Sequence, residues 1–241
     1  MNTRMLLLAA SVGFLAGCPD DDTHSNNDSP PASPPVQTEA KQFEVTVTNL
    51  TVSQPLSPLA ILAHSSSYQL FQVGQPASLA LEKVAESGDN TDLLAEKDNN
   101  DNVTMSYSGA GVILPGSADS LTFEIAGDSA SQLSIASMLV NTNDGFVGET
   151  GIDLSRIAVG ESYTMNMPVW DAGTEANSET SASIPGPAAG GEGFNTARDD
   201  DDKVSFHPGV VSLDDGLTTS ALTASHRFLN PGARLSITRI K

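Results

Sequence analysis

Short stretches in which apolar and polar residues alternate one for one recur along this chain, and no other feature restricts its fold as tightly. A β-strand points successive side chains to opposite faces, so a period of two marks a strand with one face buried. From residue 43 the sequence reads FEVTVTNLTV, where Phe43, Val45 and Val47 alternate with Glu44, Thr46 and Thr48. Leu133 and Ile135, then after a slip Met138 and Val140, repeat the pattern, as do Tyr163, Met165, Met167 and Val169. Further strands are expected near residues 103–107, 121–126 and 233–240. The turn pairs Pro115-Gly116, Pro185-Gly186 and Pro231-Gly232 separate these runs without intervening long helices. This spacing predicts an all-β fold, an antiparallel β-sandwich, and argues against alternating βαβ units.

One helix is expected, over residues 75–88, with Leu79, Leu81 and Val84 on one side, Glu82, Lys83 and Glu86 towards water, and Gly88 as the stop. Residues 54–71 carry two prolines around a short apolar run and read as an edge element followed by a loop. Residues 89–102 read as an acidic surface loop. Residues 178–203, rich in Gly, Ala and acid, read as a long mobile loop. The remaining length suits one domain over residues 42–241, because all-β sandwiches commonly reach that size undivided.

The chain has 11 Lys and Arg against 30 Asp and Glu, a formal charge of −19. That balance repels phosphate backbones, which excludes nucleic acid as a partner, and it suits divalent cations. At the amino terminus Arg4 precedes the apolar run LLLAASVGFLA, which closes on Leu15-Ala16-Gly17-Cys18. The run is too short to span a membrane and reads as an export signal over residues 1–17. Small residues directly before the only cysteine predict lipoprotein processing and acylation of Cys18. Residues 18–41, PDDDTHSNNDSPPASPPVQTEAK after the cysteine, contain almost nothing able to pack and read as a disordered tether. The expected location is therefore the cell envelope, at the outer membrane or cell surface, with the membrane engaged through the lipid on Cys18.

Two segments end an apolar run on carboxylates: residues 137–148, SMLVNTNDGFVG, and residues 170–177, WDAGTEAN. They bring Asp144, Asp171 and Glu175, with Asn143 beside them, to loop tips. Two readings stand side by side. The acids cap turns through side-chain-to-backbone bonds, or their hard oxygens hold calcium, which takes six to eight oxygen ligands at about 2.3–2.6 Å. Zinc and iron fit poorly, since His24, His64, His207 and His226 are scattered and the only cysteine is used for the lipid. The run DNNDN at residues 98–102 mimics the start of an EF-hand, but Val103 stands where the loop needs Gly and Gly109 where it needs a bidentate Glu. For catalysis, Gly127-Asp128-Ser129 with His207 or His226 is the best trio available. No G-x-S-x-G elbow accompanies it, and no catalytic residue is assigned. Trp170 is expected in the rim of the core rather than facing a ligand.

Together with SPL at residues 57–59, AHSS at residues 63–66 and Tyr68, these two segments resemble the amino-terminal domain of the spondins, the F-spondin and mindin family. The resemblance implies a β-sandwich and implies that Asp144, Asp171 and Glu175 are calcium ligands, with Glu175 where the family often has aspartate. Animal members are matrix adhesion modules, but this chain lacks their cysteines and basic surfaces. The expectation that follows is a monomeric, calcium-bound, non-enzymatic binding or adhesion module with an unknown surface or matrix ligand. The alternatives are a secreted hydrolase of unknown class and a purely structural envelope protein.

Overall fold

The computed structural model describes residues 39–241. The signal segment, Cys18 and the tether as far as residue 38 lie outside the described residues. Among the described residues ten strands form two antiparallel sheets. The first holds β1 (Lys41–Asn49), β4 (Ala118–Ile125), β7 (Ser162–Met167) and β10 (Ala233–Arg239) in the order β4-β1-β10-β7. The second holds β2 (Ala60–His64), β3 (Val103–Ser108), β5 (Gln132–Met138), β6 (Gly145–Asp153), β8 (Val169–Asp171) and β9 (Ser205–Phe206) in the order β3-β2-β5-β6-β8-β9.

The alternation works as its period requires. Phe43, Val45 and Val47 of β1 point inward, and β1 registers Val45 between Leu121 of β4 and Ile237 of β10. Facing them across the sandwich are Ile61, Leu133, Ile135, Val147 and Val169 of the second sheet, all in one buried cluster. The second sheet is covered on its other face as well. Leu62, Ala136, Phe146 and Trp170 pack there against Leu70, Phe71, Leu81, Val84 and Leu93, which makes a third layer. Trp170 belongs to that layer: its indole N–H donates to the Gly148 carbonyl at 3.0 Å and its ring stacks on Phe206.

The third layer accounts for several departures from expectation. Residues 54–71 hold a central strand where an edge element was expected, followed by the expected loop. AILAH of β2 is buried at every position and lies between β3 and β5, since a strand covered on both faces shows a continuous apolar run and no alternation. The covering elements are α1 (Leu79–Ser87) followed by the single turns α2 (Thr91–Leu94) and α3 (Glu96–Asn99), which occupy the expected acidic loop. Ser78 caps α1 by accepting from the Leu81 amide, and Gly88 closes it with φ +70°. The helix is rotated relative to the expected face, however. Leu79 is exposed, whereas Glu82 and Glu86 are buried.

Two further differences shape the site. The expected strand over residues 163–170 is two strands in different sheets. Pro168 has no N–H to give to a ladder, and the chain crosses from β7 to β8 there. Residues 145–148, in a segment expected to form a loop tip, begin β6, which pairs with β5 and β8. Residues 178–203 contain no helix or strand but are tied down. Ile184 is in the core, and the Ala188 amide donates to Asn141 Oδ1 at 3.0 Å. Arg198 of this stretch reaches the buried Glu82 through Nε and Nη2, at 3.1 and 2.5 Å.

Candidate functional site

The two acid-bearing segments meet because β6 and β8 are hydrogen-bonded neighbours, with Gly145 opposite Asp171. Asp144 immediately precedes β6 and Asp171 ends β8, so strand pairing alone brings the two loops together. The turn before β6 is closed by Thr142. Its hydroxyl donates to the Leu139 carbonyl at 2.7 Å and accepts from the Gly145 amide at 2.9 Å. Gly145 is needed for space, since a Cβ there would stand 2.7 Å from that hydroxyl and 3.0 Å from the His207 ring.

Asp144 is completely buried, and its partners are distant in sequence. Oδ2 accepts from the Thr174 amide at 2.8 Å, the Thr174 hydroxyl at 3.2 Å and the Glu175 amide at 3.1 Å. It therefore does not cap its own turn; it draws the second loop onto the first. Asp171 does cap its own turn. Oδ1 accepts from the Gly173 amide at 2.8 Å, and Oδ2 accepts from Asn177 Nδ2 at 2.6 Å. Glu175 follows with its carboxylate almost buried. Asn143 Oδ1 accepts from the Glu179 amide at 3.3 Å.

Two more buried acids join these three. Glu179 is held by one oxygen, which accepts from the Val211 amide at 3.2 Å. Glu86 comes from α1, and its Oε2 accepts from the Asn195 amide at 2.9 Å. Neither stands out in the sequence, for different reasons. The helix pattern assigns Glu86 to water, although its four-residue spacing from Glu82 places both on one face. Glu179 extends the four-residue recurrence of Asp171 and Glu175, the only sign of it in the sequence.

These acids are short of partners. Asp144 Oδ1, Glu175 Oε2, Glu86 Oε1 and Glu179 Oε2 are buried without a hydrogen bond, as is Asn177 Oδ1. Every ion pair among the described residues lies on other acids. Desolvation and mutual repulsion therefore favour protonation. Burial pushes Asp144 up to about 7, with the Asp171 charge adding to it and the Glu175 and Thr174 amides opposing. Burial pushes Glu175 up to about 8, aided by the charges of Glu86, Asp144 and Asp199 and opposed by the Asn143 side chain. Glu179 rises to about 7, chiefly by burial. Asp171 and Glu86 are raised by burial too, against the hydrogen bonds each accepts.

A hard cation fits this donor set, since the unpartnered acceptors are all oxygens and four of them are carboxylate oxygens. Among the described residues no three acidic, histidine or cysteine side chains converge as a ready-made cation cage. Calcium coordination at the rim would have to draw the carboxylates inward and use carbonyls or water as well. His207 is not suited to join through Nε2. Its Nδ1 accepts from the Gly209 amide at 3.0 Å, so the neutral ring carries its proton on Nε2, and burial lowers its pKa to about 4. His64 is structural, bonded to Ser134 and the Ser65 carbonyl.

The Ser129 trio is not assembled. Ser129 precedes β5, Asp128 pairs with Lys41, and His207 packs beside Gly145, beyond the other end of β5. A strand of that length separates them by roughly 20 Å. Residues 98–102 fall in α3 and the turn after it, where Asn100 Oδ1 accepts from the Asn102 amide, and form no calcium loop.

No curated protein matches the chain. A family model described as Spondin_N matches residues 38–207, which include β1 to β9, α1 and both rim loops. With a match over well more than half its length, and with an antiparallel sandwich whose rim is built from the DAGT turn, this chain belongs to the Spondin_N family.

Proposed function

We propose that the protein is an exported, lipid-anchored envelope protein whose spondin-type domain binds calcium at the rim and serves as a non-enzymatic binding or adhesion module. The family supplies the binding-domain reading. The observation that carries the calcium reading is Asp144. It is fully buried, bridges the two loops through Oδ2 and has an unpartnered Oδ1, with Asp171 and Glu175 beside it. An ion there supplies positive charge to acids that form no ion pair among the described residues, and so fixes the relative positions of residues 139–144 and 171–179. Support for the anchor is the sequence Leu15-Ala16-Gly17-Cys18 after the apolar run. The ligand of the module is expected at the envelope surface or in a surrounding matrix.

Calorimetric titration of the metal-stripped protein with calcium tests the rim. One ion per chain is expected, with the melting temperature rising as calcium rises. Absence of heat and of any thermal shift would overturn the calcium reading. Intact-mass measurement of membrane-extracted protein tests the anchor, which requires a diacylated Cys18 at the mature terminus.

A further inference from the structure

We propose that the free edge of β7, with the groove between it and β6, takes an extended, basic peptide segment of a partner protein as an added strand. The inference rests on the binding-module reading above, to which it gives a surface and a partner class, and it is independent of the calcium reading. An exposed strand edge carries unpaired N–H and C=O groups, and native proteins guard such edges with charges, prolines or covering elements. One side of the sandwich is guarded in that way. β4 carries Asp119 and Glu124, the Tyr107 hydroxyl of β3 donates to the Glu124 carbonyl at 3.3 Å, and the Tyr107 ring stacks on Phe123. On the other side β7, SYTMNM, has neither a charge nor a proline.

The register fixes which groups are free. The Arg239 amide donates to the Glu161 carbonyl, so at alternate positions Ile237 and Leu235 of β10 turn their backbone groups to β7, opposite Tyr163 and Met165. The N–H and C=O groups of Ser162, Thr164 and Asn166 therefore point away from the sheet, and among the described residues no other backbone group bonds to them. The second sheet is open at the same place. β8 pairs with β6 over residues 145–147, so residues 148–153 of β6 have no strand beyond them. Between the two edges lies a groove of about 470 Å³ with Ile152, Ile157, Tyr163 and Met165 on its walls. Tyr163 is 43% exposed there, although it shares the inward side of β7 with the buried Met167. An added strand would bond along residues 162–166 and turn every second side chain into this groove, which suits apolar residues at alternate positions. Charge decides the occupant. Glu149, Asp153 and Glu161 also line the groove, and Arg156, the cation on its wall, is paired with Asp153 at 2.9 Å. Glu149 and Glu161 form no ion pair among the described residues. A basic segment supplies the missing charge, whereas a second copy of this chain, at a formal charge of −19, is repelled.

The test uses the full-length protein and a short synthetic peptide of alternating threonine and valine with lysine at both ends. Calorimetry should show binding, and by NMR the peptide should slow hydrogen exchange at the amides of Ser162, Thr164 and Asn166 while leaving the β4 edge unchanged. Because the Thr164 N–H points outward, Thr164→Pro removes a docking donor without taking a bond from the β10 ladder. The variant should weaken the peptide roughly tenfold or more, as expected for the loss of one or two hydrogen bonds. A glutamate-ended peptide should bind more weakly than the lysine-ended one, and a peptide N-methylated at alternate amides should not bind. The proposal is overturned if the lysine-ended peptide does not bind, if it protects no β7 amide, or if the glutamate-ended peptide binds as tightly; these wild-type measurements decide even where Thr164→Pro does not fold. Sedimentation showing a wild-type dimer that Thr164→Pro abolishes would assign the edge to a second copy and overturn it equally. Each of these failures removes this surface and leaves the family's binding reading and the calcium titration untouched.

Discussion

Asp144 and Asp171 carry the same functional group in adjacent strand ends and do different jobs. Asp144 takes three donors from the opposite loop, whereas Asp171 caps its own turn. Asp144→Ala would leave the Thr174 and Glu175 amides buried without an acceptor, so in metal-free buffer it should cost about 3 kcal/mol by urea denaturation. Asp144→Asn keeps an acceptor and should cost less, yet lose the calcium response. The same acids give a pH dependence with a definite sign. Asp144, Glu175 and Glu179 have folded pKa values pushed up to about 7, 8 and 7, well above the ordinary carboxylate range. Between those limits the native state holds more protons than the unfolded chain, so stability present at low pH is lost as pH rises. Metal-stripped protein should therefore melt lower at pH 8.5 than at pH 5.5, by on the order of 3 °C for each kcal/mol lost. Saturating calcium should flatten the upper part of that profile, because the cation replaces the protons. A metal-free melting temperature that climbs with pH across this range would contradict the burial of these charges. The acids at 144, 171 and 175 were legible in the sequence because each follows an apolar run that must end at a strand tip. Glu86 was not legible. A helix pattern assigns charged residues to water, and only a third layer covering α1 reverses that assignment.

Among the elements, α1 and the stretch over it form a unit held by charge. Arg198 neutralises Glu82, whose side chain is only 3% exposed. Arg198→Met removes the cation and leaves the carboxylate buried, which should cost about 3–5 kcal/mol. Glu82→Gln added to Arg198→Met should restore much of that loss, since no unpaired charge then remains. A double variant as unstable as Arg198→Met alone would show that the arginine acts through packing instead. Limited proteolysis should locate the damage, with cleavage between residues 192 and 203 appearing first. Element boundaries were readable wherever a strand has one wet face, as in β1 and β10. They were obscured where it has two dry faces, as in β2. They were also obscured where one alternating run serves two sheets, as at Pro168, since alternation records which face is buried and not which sheet buries it.

At the scale of the whole molecule, the family match ends at residue 207, yet the first sheet is incomplete without β10. That strand lies between β1 and β7, and its Ala233, Leu235 and Ile237 are fully buried in the sandwich core. A chain cut after residue 207 would separate β7 from the β4–β1 pair and open two unpaired edges. It would also uncover the inward face of the second sheet, including Ile61, Ile135 and Val147. Burial of apolar surface is the main favourable contribution to folding, and a shared core cannot lose one of its two sheets in part and remain cooperative. The truncated chain should therefore show no sharp thermal transition and should aggregate. Trp170 gives a local readout of the damage, because it lies in the third layer, on the opposite face of the second sheet from β10. Its fluorescence should already be that of a solvent-exposed indole before heating. A blue-shifted Trp170 and a cooperative melt in the truncated chain would mean that the helix-covered layer folds independently, and that the sandwich is assembled upon it rather than together with it.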